Sequence, residues 1–373
     1  SSVSSITELI GYYNNYGGTS TYTFTKGADF VDFVQISAGW NVSQVTDMKN
    51  MFYGNSVFNQ PLNNWDVYKV TNMDSMFENA TSFNNGISNW NVSKVTTMHE
   101  MFKLANAFNQ PIGSWDVSKV SNMDRMFNDA SNFNKDIGSW DVSSLISMER
   151  MFGNAVDFNQ ALDSWDVSKV ENMSLVFRTA TSFNQPLGSW DMSSVTEMYH
   201  MFSGGCPFDQ DISGWDVSKV ENISHIFSEN SKFNQDISGW DVSSVTNMEY
   251  TFYSATAFNQ DISNWDVSQV SNMNEMFNGA SNFNQPLGEN IFGTGDELPA
   301  DFGTMAHDLF GVGGSPNWYS CSIDSWGLMD DGTILLYNRT FDAHGRFCRI
   351  DLSGDRVTNA ARYRENELPT YNS

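Results

Sequence analysis

The residues best suited by type to do chemistry form a row of acids. Asp66, Asp116, Asp141, Asp166, Asp191, Asp216, Asp241 and Asp266 each directly follow a tryptophan, and Asn41 and Asn91 hold the same place in two further units. Paired carboxylates at a suitable separation hydrolyse glycosidic bonds. That reaction needs two acids in different environments, one kept protonated and one ionised. Eight equivalent acids offer no such division of labour, so the row points away from catalysis. Two other roles fit it. Each Asp can cap the turn that follows by accepting backbone N–H bonds. Alternatively, carboxylates facing outward at about 4.8 Å intervals repel one another and invite Ca²⁺ or a cationic partner. Capping is the preferred reading, and Ca²⁺ is the only cofactor the sequence suggests.

The remaining reactive residues are scattered. His99, His200, His225, His307 and His344 show no paired ligand spacing. No glycine-rich phosphate loop, nucleophile elbow or zincin motif occurs. The chain therefore reads as a non-enzyme. Cys321 and Cys348 flank a short C-terminal segment and are candidates for a disulfide, the alternative being two unrelated buried thiols. Cys206 reads as a free core thiol. Six N-glycosylation sequons begin at Asn41, Asn79, Asn91, Asn172, Asn222 and Asn338. Asn41 and Asn91 share one offset and Asn172 and Asn222 another, so their sugars would lie on fixed faces of a repeating structure.

What positions these residues is an internal repeat. Trp40, Trp65, Trp90, Trp115, Trp140, Trp165, Trp190, Trp215, Trp240 and Trp265 recur every 25 residues without a slip. Around each runs F-N-Q-x-I-x-x-W-D-V-S-x-V-T-N-M-x-x-M-F-x-x-A. A unit this small cannot bury its own core, so its neighbours must cover it, which predicts a solenoid. Trp and Val alternate with Asp in W-D-V, the pattern of a half-buried strand. Stacked coils would pair these strands in parallel and make a rod of roughly 50 Å. Val95, Met98, Met101 and Phe102 then fall at steps of three and four, which predicts one or two turns of helix or 3₁₀ structure. The methionines read as core filler rather than ligands.

The phenylalanines of F-N-Q, from Phe58 through Phe108 to Phe283, should form one internal column and the tryptophans another. The adjoining Asn59, Asn84, Asn109, Asn134, Asn159, Asn184, Asn234, Asn259 and Asn284, with Asp209 as the one substitute, should satisfy backbone groups at a bend.

Composition narrows the partners. The chain has 373 residues, 14% aromatic, and a formal net charge of −25. That sign argues against nucleic acid or anionic membranes, which need clustered Lys and Arg. No apolar run approaches the roughly 20 residues of a membrane span. The chain begins at Ser1 with no signal peptide, which suits a processed chain or a fragment.

Three stretches carry a family likeness: W-D-V-S-K-V at 115–120, N-M-D-R-M-F at 122–127 and F-N-Q-D-I-S-G-W at 233–240. In these the chain resembles the BspA-like leucine-rich repeat proteins, specifically the 25-residue group of mycoplasma surface lipoproteins. The resemblance implies a leucine-rich-repeat-like stack, a surface or secreted location, and adhesive contacts with protein or matrix; it carries over no catalytic residue. Ten coils span 33–290. Residues 1–32, rich in Tyr, Gly and Thr, read as an N-terminal cap, 291–310 as a degenerate repeat, and 311–373 as a C-terminal cap or small β-rich docking module. There Ile334 to Tyr337 and Phe347 to Leu352 look like short strands.

Three functions fit this frame. The first is an extracellular structural or adhesive protein whose weak contacts gain strength by repetition. The second is a filament subunit docking head to tail through its two ends. The third, ranked last, is a carbohydrate-binding surface protein. It needs exposed aromatics, and Tyr68 is a rare surface exception to the core period.

Overall fold

The computed structural model describes residues 42–283 and 285, together with the backbone of three strands near the C-terminus. Asn41, Asn338 and Cys321, the side chain of Cys348, and the stretches read as the N-terminal cap and the degenerate repeat lie outside the described residues.

From 42 to 283 the chain is built of 25-residue coils that lie on one another in register. One coil shows how the sequence makes them. From Trp115 to Ile137, the side chains of Trp115, Val117, Val120, Met123, Met126, Phe127, Ala130, Phe133 and Ile137 are all buried. Trp90 and Trp115 stack with centroids 6.4 Å apart and planes 2° from parallel. Phe83 and Phe108 do so at 5.9 Å, and Phe102 and Phe127 at 5.7 Å. Within a coil the two phenylalanines stack closer still, Phe127 on Phe133 at 3.9 Å. Each indole from Trp90 to Trp265 also finds its polar partner in the coil before, Trp115 Nε1 donating to the Ile87 carbonyl at 3.2 Å. Burying a large ring while satisfying its one donor is how tryptophan best serves a core.

Coils are joined by backbone hydrogen bonds in a different place from the one the pattern predicts. Nine single-residue parallel bridges run through Asp47, Asn72, Thr97, Asn122, Ser147, Asn172, Glu197, Asn222, Asn247 and Asn272, seven residues past each tryptophan. The W-D-V segments form no strand. The acid itself prevents one: Asp116 Oδ1 accepts the Ser118 N–H at 3.2 Å and its hydroxyl at 2.6 Å. This closes a turn just after the indole, and the Val120 N–H then closes another on the Val117 carbonyl.

The expected helical segment is also absent. In the coil after Trp65, the N–H groups of Met76, Glu78 and Ala80 donate three residues back, to Met73, Ser75 and Phe77. The alternate N–H groups of Met73, Ser75, Phe77 and Asn79 donate instead to the next coil, at Thr97, His99, Met101 and Lys103. A helix would consume every N–H internally; here half of them hold the coils together. The cost is left-handed backbone at two places in each coil, as at Ser75 (φ 50°) and Asn79 (φ 58°), with a third at Gly205. The steps of three and four in M-x-x-M-F are real, but they are steps along overlapping turns.

The Asn column does its work between coils. Asn84 Oδ1 accepts the Asn109 N–H at 2.9 Å and the Gln110 side-chain amide at 2.8 Å. Asp209 serves equally, accepting from Asn234 N–H and Gln235 Nε2, because the position requires only an acceptor.

In the C-terminal segment, β1 (Ser325–Leu328), β2 (Thr333–Tyr337) and β3 (Cys348–Asp351) form an antiparallel sheet in the order β1-β2-β3. Two of these strands match the expected ones to within a residue, while β1 was not foreseen.

Candidate functional site: a variable ribbon on a uniform stack

All eight acids of the row are exposed, and each uses Oδ1 to accept the N–H two residues on, from Tyr68 after Asp66 to Ser268 after Asp266. Hydrogen bonds from the following serine, through hydroxyl and amide, hold the carboxyls of Asp116, Asp166, Asp216 and Asp266 below the ordinary value. The row is therefore a series of identical turn caps, each with one oxygen already committed. Among the described residues no three His, Cys, Asp or Glu side chains converge as a metal site.

The sequons fall into two kinds. Asn79 and Asn91 are exposed, whereas Asn172 and Asn222 are half-buried in the bridge ladder, their Oδ1 atoms accepting from Ser174 and Ser224. Cys206 is fully buried and unpaired. Burial pushes its thiol up to about 12, which keeps it protonated. Tyr68 is indeed exposed, with the Lys94 ammonium 4.0 Å from its ring centroid.

Individuality sits elsewhere, at three motif positions left as x: nine, ten and thirteen residues past each tryptophan. Side chains there range from exposed to fully buried, their combination differs from coil to coil, and the stack makes neighbours of residues 25 apart. Three zones follow along the ribbon. The first is ionic. Lys103 Nζ lies 2.6 Å from Glu100 and 3.2 Å from Glu78, and Arg125 lies 2.8 Å from Glu149 and 3.7 Å from Glu100. Burial works to raise the Glu100 carboxyl, but Lys103, His99 and Arg125 outweigh it and hold it down.

The second zone is cationic, with Arg150 and Arg178, neither of which makes an ion pair among the described residues. The third is aromatic: His200 stacks on His225 at 4.1 Å, and His225 on Tyr250 at 4.6 Å. Burial lowers His200 to about 4, helped by His225, Arg178 and Arg150; burial lowers His225 as well. The two imidazoles are within 14° of parallel, so their in-plane lone pairs run side by side and do not converge on one metal ion. Because the ring faces cover one another, the ladder presents edges outward, not the flat platforms on which a sugar stacks. Within-helix ligand spacings gave no hint of this pair; the usable signal was the offset of 25 itself.

Register, buried ring columns and a variable ribbon together define a tandem-repeat protein of about 25 residues per unit. The chain belongs to the family described as "Mycoplasma protein of unknown function, DUF285", which matches it at residues 20–135, 105–213 and 204–294. No curated protein matches the chain, and no solved structure does. Among the described residues no helix is long and apolar enough to cross a membrane.

Proposed function

We propose that this protein is a non-enzymatic surface or extracellular repeat protein. In this reading it is a leucine-rich-repeat-like solenoid of the BspA-like kind that offers its long side to protein or matrix partners. One observation carries the reading: the interior repeats almost without change, while the ribbon nine to thirteen residues past each tryptophan changes in every coil. A catalyst concentrates unlike groups in one place; a contact surface spreads them along its length. Many weak contacts along a rigid edge gain strength through effective concentration.

Deletion of whole 25-residue units tests this. Binding to immobilised matrix proteins should fall more steeply than in proportion to the coils removed. Binding that is unchanged by deletion, or chain that stays unlabelled when intact cells are treated with an impermeant reagent, would remove the proposal.

A further inference from the structure

Arg150 and Arg178 stand apart from the paired cations of the ribbon, Lys49, Lys103 and Arg125. In the described residues no carboxylate lies within ion-pairing distance of either guanidinium, although the chain carries 44 acids against 19 Lys and Arg. Glu149 of the ribbon is committed to Arg125 at 2.8 Å, and Glu197 of the bridge ladder to Asn222. Arg150 Nε is moreover buried with no hydrogen-bond partner, and so is the hydroxyl of Ser174. The backbone of Ser174 touches that of Arg150, its carbonyl accepting the Arg150 N–H at 2.9 Å. Ser174 is 0% exposed. Leaving such donors unsatisfied costs about 1–3 kcal/mol apiece, more for a charged group.

The site is shaped as well as charged. Gly153 breaks the column that holds Asn128 before it and Arg178 after it. A Cβ at Gly153 would lie 2.6 Å from Arg150 Cγ and 3.1 Å from Asn128 Nδ2. The missing side chain is thus the space through which the Arg150 stem passes. Both arginines act electrostatically on His200, whose ring they help to keep neutral. Tyr199 lies within reach of the Arg150 charge too.

We infer that Arg150 and Arg178 form a subsite for a tetrahedral oxyanion, a sulfate or phosphate group, held by the terminal nitrogens of the two half-buried guanidinium groups. Planar guanidinium forks suit such groups, since they give two parallel hydrogen bonds each. The inference stands whether or not the protein is a surface adhesin.

The test uses the full chain with inorganic sulfate and inorganic phosphate, chloride making up equal ionic strength, followed by calorimetry and by NMR of His200. Either oxyanion should bind and should raise the His200 titration midpoint, because it cancels the two positive charges nearby. Whichever of the two binds more tightly names the group. Arg150→Leu and Arg178→Ser follow residues the stack already uses in those columns, Leu175 and Ser203, so both variants should keep the fold. Each should weaken binding about tenfold, as the loss of one charge-assisted pair implies. Gly153→Ala keeps every charge but displaces the Arg150 stem, and should weaken binding too. Three results would overturn the inference: no response beyond that to chloride, equal binding of acetate, or an unchanged response in the Arg150→Leu/Arg178→Ser double variant.

Discussion

The interior columns and the variable ribbon are two ways of using the same 25-residue period. In the columns like sits on like, Trp240 on Trp265 at 6.4 Å and 1° from parallel, for example. Every coil is then interchangeable with its neighbour, and stability is a sum of nearly equal interfaces. In the ribbon most neighbours are unlike, His200 on His225 apart: Glu100 meets Arg125, Arg150 precedes Leu175, and His225 meets Tyr250. The comparison teaches that repetition supplies the scaffold and that departures from repetition carry the specificity.

The largest break in this pattern should come from the columns. Trp140→Ala removes a buried ring with stacked neighbours and the bond from its Nε1 to the Ile112 carbonyl. It should cost about 3–5 kcal/mol. Because it interrupts the stack near its middle, denaturant unfolding followed by circular dichroism should split into two transitions.

Next come two asparagines that occupy the place where most coils have Ala. Asn230 is fully satisfied: Nδ2 donates to the Phe208 carbonyl at 2.9 Å, and Oδ1 accepts from Lys232 and Phe233. Asn55, equally buried, has neither amide atom paired. Asn230→Ala should lose about 1–3 kcal/mol, whereas Asn55→Ala should gain about 1 kcal/mol, since it deletes an unmet desolvation cost. Equal effects of the two in urea titrations would contradict the assigned hydrogen bonds.

The ribbon responds to acid where the columns do not. His200 titrates near 4 when folded, against an ordinary 6.5, and His225 is lowered too. Below 6.5 the unfolded chain takes up protons that the folded chain refuses, so stability falls as the pH drops from 6.5 towards 4. The groups acting on the pair are Arg150, Arg178, Glu249 and Glu229, of which only the two glutamates oppose the shift. His200→Asn with His225→Asn should flatten the pH dependence of Tm across that window. Asn already occupies this column at Asn50, with φ 60°.

The smallest effect concerns backbone strain. Thr179 holds φ 59° in a column where Asn79 and Asn154 take the same conformation. A β-branched residue tolerates that region poorly, so Thr179→Asn should stabilise the stack by about 1 kcal/mol, seen as a rise in Tm.

Much of the fold was legible because period and residue type are local facts. Among the described residues, the tryptophans from Trp65 to Trp265 and the F-N-Q phenylalanines line the interior, and the Asn column links neighbouring coils, as their spacing of 25 requires. Short patterns do not fix local structure in the same way. W-D-V alternates like a strand, but the Asp116 side chain folds back and makes a turn. M-x-x-M-F steps like a helix, but its alternate N–H groups leave the coil. The ribbon is not visible in the motif, because its residues are those the motif leaves undefined, and His200 with His225 form a pair only when residues 25 apart become neighbours.

The sequence by itself determined the unit length, the register and the identity of the buried columns, since apolar side chains that no single unit can cover must be covered by the next. Only the tertiary structure decided where the coils hydrogen-bond, which residues take left-handed backbone, and which charges are left without partners. Those outcomes depend on donors and acceptors from different coils competing for one another, and no pattern within one unit records who wins.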